Sequence, residues 1–404
     1  MNPTTSTNSQ LDGQAKAALT AHLVARAAAL QPLLRQHAAQ GEENRAVTPA
    51  VVEALGEAGV FRLLTPRRYG GHESSLRTLI EVSQTLGRAD GSAAWVGMII
   101  SVTNWLASLF PDQAQEEVFG ADPDARVSGV AAPTGIGERV TGGWRVSGRW
   151  SYNSGAPYAT WAAVGALLKD DRGEIADQAL VLIPATDLTM ADTWHTAGMR
   201  GTASNTLIGT DVFVPDHRIL SVPAAAQGCY PRSPRPEPLY GAAFGSMLVL
   251  CLTGPLLGLG KAALDAVVAA ASTPLSFTTY GRRSDSVAFQ TQIAEAALKI
   301  ETACLHINRA ADDVDMAALA GPLDYPARAR IRARAGHAVQ EILQAITILL
   351  NAHGSSAFAE ASPLQRIWRD ANTAARHAGL VPAVGLEVYG KTMLGVDEHV
   401  SHMV

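Results

Sequence analysis

A chain of 404 residues, 47% of them hydrophobic, has material for two or three packed units and a sizeable core. Its 32 Lys and Arg against 37 Asp and Glu leave a net charge of −5, which speaks against a nucleic-acid partner. Cys229, Cys251 and Cys304 lack metal-ligand spacing and fit reduced thiols in a cytoplasm, and the polar start at Met1 shows no export signal.

Residues 11–122 read as helical, in Ala-, Leu-, Glu- and Gln-rich runs. Thr48-Pro49 starts a helix, Val51 to Val60 is amphipathic with a glycine near its end, and Pro66 to Gly71 is a loop by its turn chemistry. Gly91 to Phe110 and Leu239 to Gly260 carry no charge. Their Gly, Ser, Thr and Asn content, and Pro255, suit buried core helices better than membrane spans. From 123 to 228 the pattern changes to short apolar runs such as Trp144 to Trp150 and Ala179 to Pro184, with Gly142-Gly143 as a hairpin turn. This is a β-barrel-like domain. Pro231 to Pro238 is a rigid connector, and 239–404 returns to helical periodicity in four or five long segments, a bundle. Within it Arg328, Arg330, Arg332 and Arg334 fall at every second position, which spreads them around a helix as a solvated or interface face. Asp370, Thr373 and His377, at spacings of three and four, share one helix face.

Several positions offer chemistry. Ser154, in Ser151-Tyr152-Asn153-Ser154-Gly155 after the strand ending at Trp150, is a hydroxyl at a turn that can hold a ligand edge or simply close the turn. Ala131-Ala132-Pro133-Thr134-Gly135 allows close backbone approach or is an ordinary inter-strand turn. Arg282-Arg283 suits bidentate phosphate contact or a surface pair. His377, with an ordinary pKa of about 6.5, can exchange protons near neutrality or rest on a backbone carbonyl. Asp370 pairs with Arg366 or Arg369, or caps a backbone, and takes no catalytic part. Trp95, Trp105, Tyr158 and Phe244 line an aromatic pocket or belong to the core.

The helical–β–helical order and five collinear segments resemble the acyl-CoA dehydrogenase fold from about residue 15 to 400. They are Leu64 to Gly71, Met199 to Thr206 with Asp211 to Pro215, Phe289-Gln290, His353 to Phe358, and Trp368 to Gly379. The resemblance implies an α+β chain: an N-terminal helical domain over 11–122, a central β domain over 123–228 and a C-terminal bundle over 239–404. Many dehydrogenases of this fold carry a catalytic glutamate just before the glycine matching Gly379. This chain has Ala378 there, preceded by His377, and alanine removes no proton. The likeness therefore points to the two-component, reduced-flavin-utilising monooxygenases of the same fold.

That branch implies an oxygenase component that takes FMNH2 or FADH2 from a separate NAD(P)H-dependent flavin reductase and forms a C4a-hydroperoxyflavin with O2. The chain has no Gly-x-Gly-x-x-Gly after a strand for a nicotinamide nucleotide, which agrees. The resemblance places Ser154 at flavin N5, Ala131, Pro133 and Thr134 along the pyrimidine side, and Trp150 in the cofactor site. It places Arg282 or Arg283 and the turn Gly354-Ser355-Ser356 at a neighbouring subunit's flavin, hence a homotetramer. His377 lies over the flavin, and Trp95, Asn104, Tyr158 and Phe244 join it around the substrate. Several hydroxylases of the branch carry a histidine in the helix matching Val102 to Trp105, where this chain offers only Asn104. The expected substrate is a small aromatic or heteroaromatic molecule such as an indole or phenol. N- or S-oxygenation of an amino sugar or sulfide, a dehydrogenase whose base moved to Glu341 or Glu360, and a flavin-less scaffold stand as alternatives. The chain is expected in the cytoplasm, bound to neither membrane nor nucleic acid.

Overall fold

The computed structural model describes residues 3–234, 237–398, 400–401 and 404, with side chains from Gly13 onward. Six helices come first: α1 (Pro3–Ala29), α2 (Gln31–Glu43), α3 (Pro49–Glu57), α4 (Leu76–Gly87), α5 (Gly91–Ala107) and α6 (Asp112–Phe119). Seven strands follow: β1 (Val127–Val140), β2 (Gly143–Asn153), β3 (Trp161–Lys169), β4 (Ile175–Pro184), β5 (Thr189–Ala191), β6 (Asn205–Pro215) and β7 (Ile219–Ser221). After α7 (Val222–Ala226) come α8 (Phe244–Leu250), α9 (Thr253–Ala269), α10 (Val287–Ala320), α11 (Tyr325–His353), α12 (Pro363–Ala374) and α13 (Pro382–Leu394). Side-chain N-caps fix many of the helix starts. Ser75, Asp90, Ser286, Asp324 and Ser362 each accept a backbone N–H of the first turn.

The strands form one sheet in the order β5-β6-β2-β1-β3-β4-β7, with β1 and β3 parallel. Its edges β5 and β7 do not pair with each other, so the barrel expected from the sequence is an open, curled sheet. β1 and β2 join through Gly142, at φ 79°, as the glycine pair predicts. β3 and β4 are buried on both faces, which explains their near-continuous apolar sequences. Val146, Trp150, Val164, Val181 and Leu207 build a small core on one side, whereas Ala163, Leu180 and Leu182 join the main helical core.

α5 is the central element of that core, buried at every residue except Ile99. α4 packs on α9 at glycine contacts. A β-carbon on Gly87 would lie 2.7 Å from the Pro255 carbonyl oxygen, so these backbones approach closer than any side chain allows. The stretch Phe244–Ala269 is apolar and long enough to cross a membrane by composition, yet 78% of that window is buried inside the protein.

Asn104 is the polar joint between α5 and the sheet. Its amide donates to the carbonyls of Phe61 and Ala125, both at 3.0 Å, and its oxygen accepts the Val127 N–H at 3.0 Å. Every strong bonding direction of this fully buried side chain is spent on backbone, which corrects its expected place in the substrate pocket. Asn104→Leu is expected to destabilise the protein by about 2–4 kcal/mol, because two carbonyls and an amide lose their partners in the core; a drop in the urea midpoint at unchanged slope measures it.

Candidate active site

The site forms where the start of α5, the end of β2, the segment before β6 and the loop after α12 converge. Trp95 on α5 donates its indole N–H to the Ser154 hydroxyl at 3.1 Å, and its ring lies 5.9 Å from the His377 ring. Three residues some 60 and 220 positions apart in the chain thus meet. Ser154 is followed by Gly155 at φ 75°, which closes the turn after β2.

Backbone strain gathers here. Tyr152, Met199 and Ala203 hold φ values of 64°, 53° and 46° without being glycine. Surrounding bonds impose these conformations. Asp370 accepts the Met199 N–H, the Thr202 carbonyl accepts from Gly155 at 2.9 Å, and the Gly201 carbonyl accepts from Val47 at 2.8 Å. Asp370 is thereby the backbone cap that its sequence context allowed. Arg366 and Arg369 pair with Glu42 instead, in a small cavity with Asp90.

Burial first, and then the Asp90 charge, push the Asp370 carboxyl up to about 7. The folded protein therefore holds this proton up to about pH 7, whereas the unfolded chain sheds it in the ordinary carboxyl range. Stability contributed by this group declines as pH rises across that window. Asp370→Asn keeps an oxygen for Met199 and removes the ionisation. The expected outcome is a Tm above wild type by roughly 2–4 °C at pH 8.5 and no gain at pH 4, read by thermal melts.

A chain of hydroxyls leads away from Ser154. Its oxygen lies 2.7 Å from Ser204 Oγ, Ser204 Oγ lies 2.6 Å from Thr202 Oγ1, and Thr202 Oγ1 donates to the Met199 carbonyl at 2.8 Å. A carbonyl only accepts, so the direction of every link follows: Thr202 gives its proton to Met199, Ser204 to Thr202, and Ser154 to Ser204. Since Trp95 also donates to Ser154, one lone pair is all that Ser154 has left to offer. The candidate site presents an acceptor there.

His377 does not share a helix face with Asp370 and Thr373. α12 ends at Ala374, and His377, at φ −57° and ψ 135°, is extended backbone ahead of a 3-10 turn over Ala378–Leu380. Its Nδ1 accepts the Gly379 N–H at 3.0 Å. An amide only donates, so Nδ1 carries no proton and the free edge of the neutral ring is Nε2–H. Enclosure by protein, and then the Arg332 guanidinium, pull its pKa down to about 4, so the ring is neutral around pH 7. The residue keeps accessible surface although protein closes in around the ring, as a residue lining an opening does.

Other expected residues fall elsewhere. Trp150 is fully buried in the sheet core with its N–H on the Gly165 carbonyl at 2.8 Å, so it has no surface for a cofactor. Phe244 is buried against Trp105, with ring centroids 6.3 Å apart, and the Tyr158 hydroxyl is tied to the Val47 carbonyl. Both are structural, because aromatics of this kind find core before they find ligands. Ala131, Pro133 and Thr134 form the bulge where the β1–β3 register shifts between Val130 and Gly135, and Thr134 donates to the Arg149 carbonyl at 2.8 Å. Arg283 is spent on the carbonyls of Ala352 and His353 at 3.1 and 2.6 Å, whereas the Arg282 side chain is 66% exposed with only Asp285 beside it. Gly354, at φ 86°, Ser355 and Ser356 lie at the surface. Glu341 is paired with Lys299 at 3.2 Å and Glu360 is at the surface, so neither is free to serve as a relocated base.

Sequence reading missed Ser204, Thr202, Asn153 and Arg332. Asn153, fully buried beside Ser154, has neither amide nitrogen nor oxygen partnered, and Arg332 leaves Nε and Nη1 unpaired in the interior. The first two stood in a quoted segment, but only the fold aligns their hydroxyls with Ser154.

Comparison with known proteins settles the class. Residues 22–119 and 250–382 match the acyl-CoA dehydrogenase N-terminal and C-terminal domain families. The chain is 35% identical over 91% of its length, and 97% of the relative's, to the flavin-dependent monooxygenase oxygenase subunit HsaA of Rhodococcus jostii. It belongs to the flavin-dependent monooxygenases of the acyl-CoA dehydrogenase fold. This oxygenase is also 33% identical to the FADH(2)-dependent resorcinol hydroxylase oxygenase component of a Rhizobium species, covering 93% of this chain and 94% of that one. The structure of XiaF from Streptomyces sp. in complex with FADH2 and glycerol superposes on it with a TM-score of 0.90 at 38% identity, over 96% of this chain and 98% of that one. The oxygenase uses reduced flavin, and its residues suit that cofactor: the lone acceptor on Ser154 matches a group that carries a proton at N5, and Asn153 has unspent donor and acceptor capacity next to it. Membership in an oxygenase-component family also means that a separate component completes the system.

Proposed function

We propose that this oxygenase hydroxylates a small electron-rich aromatic ring, a phenol first and an indole second. The observation that carries the reading is a neutral histidine, His377, where a dehydrogenase would need a carboxylate, set beside Trp95 and Ser154. The resorcinol hydroxylase relationship supports the phenolic class. Bound reduced flavin supplies, with dioxygen, one electrophilic oxygen atom for the ring while the other leaves as water.

The protein's own part is orientation and exclusion of water. Ser154 accepts the N5 proton of reduced flavin, with its own hydrogen directed away by Ser204 and Thr202. His377 Nε2–H donates to the substrate hydroxyl or to the reacting oxygen, and Trp95 walls the ring site. Ala131, Pro133 and Thr134 line the pyrimidine side. A separate NAD(P)H-dependent reductase delivers the flavin.

The assembly is a homotetramer in this reading. Arg282 and the turn Gly354-Ser355-Ser356 reach a neighbouring subunit's cofactor. Support comes from the exposed Arg282 and from Leu298 and Leu305 on α10, which lie seven residues apart and each leave 63% of their surface open. Supplying reduced flavin and 18O2 with resorcinol or indole tests the function. One labelled oxygen in the product is the expected result; consumption of oxygen to hydrogen peroxide alone with every aromatic probe overturns it.

A further inference from the structure

Arg332 stands among its arginine neighbours on α11 as the one that turns inward. Arg334 pairs with Asp313 at 3.0 Å and Arg328 reaches the Leu323 carbonyl at 2.7 Å, but Arg332 is only 7% exposed. Its single bond runs from Nη2 to the Ala378 carbonyl at 2.8 Å, while Nε and Nη1 are buried without a partner. No carboxylate among the described residues pairs with it. An isolated cation in the interior costs several kcal/mol unless something compensates it. The compensation offered by the protein is a single carbonyl, far short of the five donors a guanidinium presents.

The surroundings say what is missing. Arg332 lines a narrow crevice with Gly245, Ser246 and Val249 of α8 and with Ile331. Gly245 and Ser246 keep that wall low, Val249 and Ile331 make it apolar, and none of them brings negative charge. Ala378, which holds the guanidinium, immediately follows His377. The cation therefore lies one residue from the histidine that faces the substrate. An anionic group entering beside His377 finds two unspent N–H donors in a fork that matches a carboxylate.

We propose that Arg332 is the anchor for a carboxylate carried by the aromatic substrate, so that the preferred substrates are aromatic acids held by their acid end while the ring faces His377. This rests on the aromatic hydroxylase reading above and adds the anionic arm. Arg332 is a specificity-determining residue here, and the carboxylate offsets the desolvation that the free protein carries.

The test is equilibrium binding to the full-length protein loaded with oxidised flavin, using 4-hydroxyphenylacetate, indole-3-acetate and their neutral amides, measured by calorimetry. Wild type is expected to bind at least one acid about tenfold or more tightly than its amide, as a charge-assisted bidentate pair provides. In Arg332→Met the acid is expected to fall to the affinity of its amide while the amide changes by less than about twofold, and Arg332→Lys recovers part of the preference. Equal binding of acids and amides by wild type, or a preference that survives in Arg332→Met, overturns the anchor while leaving the aromatic reading intact. If no acid or amide binds, both fall together. If Arg332→Met lowers acid and amide alike, or changes the oligomeric mass without touching the preference, Arg332 serves the fold or a subunit contact and the anchor is refuted.

Discussion

Replacing His377 by phenylalanine is expected to lower ring hydroxylation by about 10²–10³-fold, the range seen when one well-placed donor leaves an active site. Oxygen should still be consumed, appearing as hydrogen peroxide, because the substitution leaves Ser154 and its hydroxyl chain in place. The role assigned to His377 is that of a donor through Nε2–H, with Nδ1 held by Gly379 and the pKa pulled down to about 4. Two further outcomes follow from this. Hydroxylation is flat from pH 6 to 8 as far as this ring is concerned, since it is neutral throughout. His377→Asn, which still offers an N–H, recovers activity to within roughly tenfold of wild type. A general base makes the opposite demands: a falling limb near pH 6–7 that disappears in the variant, and no rescue by asparagine. Product formed and peroxide released, measured against pH for the three proteins, separate the two.

The second large effect concerns Ser204, which touches no substrate. In the wild type the Ser154 proton is committed to Ser204, and an acceptor favours a cofactor with a proton at N5 over one without. Reduced flavin is therefore expected to bind more tightly than oxidised flavin. Ser204→Ala frees the Ser154 proton to turn toward the flavin. The expected result is a fall of about tenfold in the ratio of oxidised to reduced dissociation constants, one hydrogen bond's worth, together with a lower potential of the bound flavin. Titrations under anaerobic and aerobic conditions read the ratio without any turnover. A merely structural serine would weaken both states alike, and an unchanged ratio sinks the directed-relay account.

Ser154 and His377 are legible in the amino-acid order because each sits in a contiguous motif whose residue types suit one chemistry. Asn104 shows where such reading fails. On a helix beside two tryptophans it has the look of a pocket residue, yet a buried amide is drawn to unpaired backbone groups, and Phe61, Ala125 and Val127 supply them from distant segments. Trp150 fails for a related reason. Period-2 alternation puts it on one face of β2, but which face meets the small core depends on how the sheet curls. Arg332 is hidden by its neighbours, since spacing along a helix says nothing about which arginine meets the loop carrying Ala378.

What the amino-acid order by itself determined was local or additive: the helical–β–helical division, the hairpin at Gly142, the helix caps, the missing carboxylate before Gly379 and the histidine in its place. These depend on side-chain period, backbone preference and residue type, which act over a few positions. Only the tertiary structure decided the direction of the hydroxyl chain, the tautomer of His377, the unpaired state of Arg332 and the open edges of the sheet. Each of these depends on which donors and acceptors remain unspent after segments up to 220 positions apart have packed, and that remainder is a property of the whole fold.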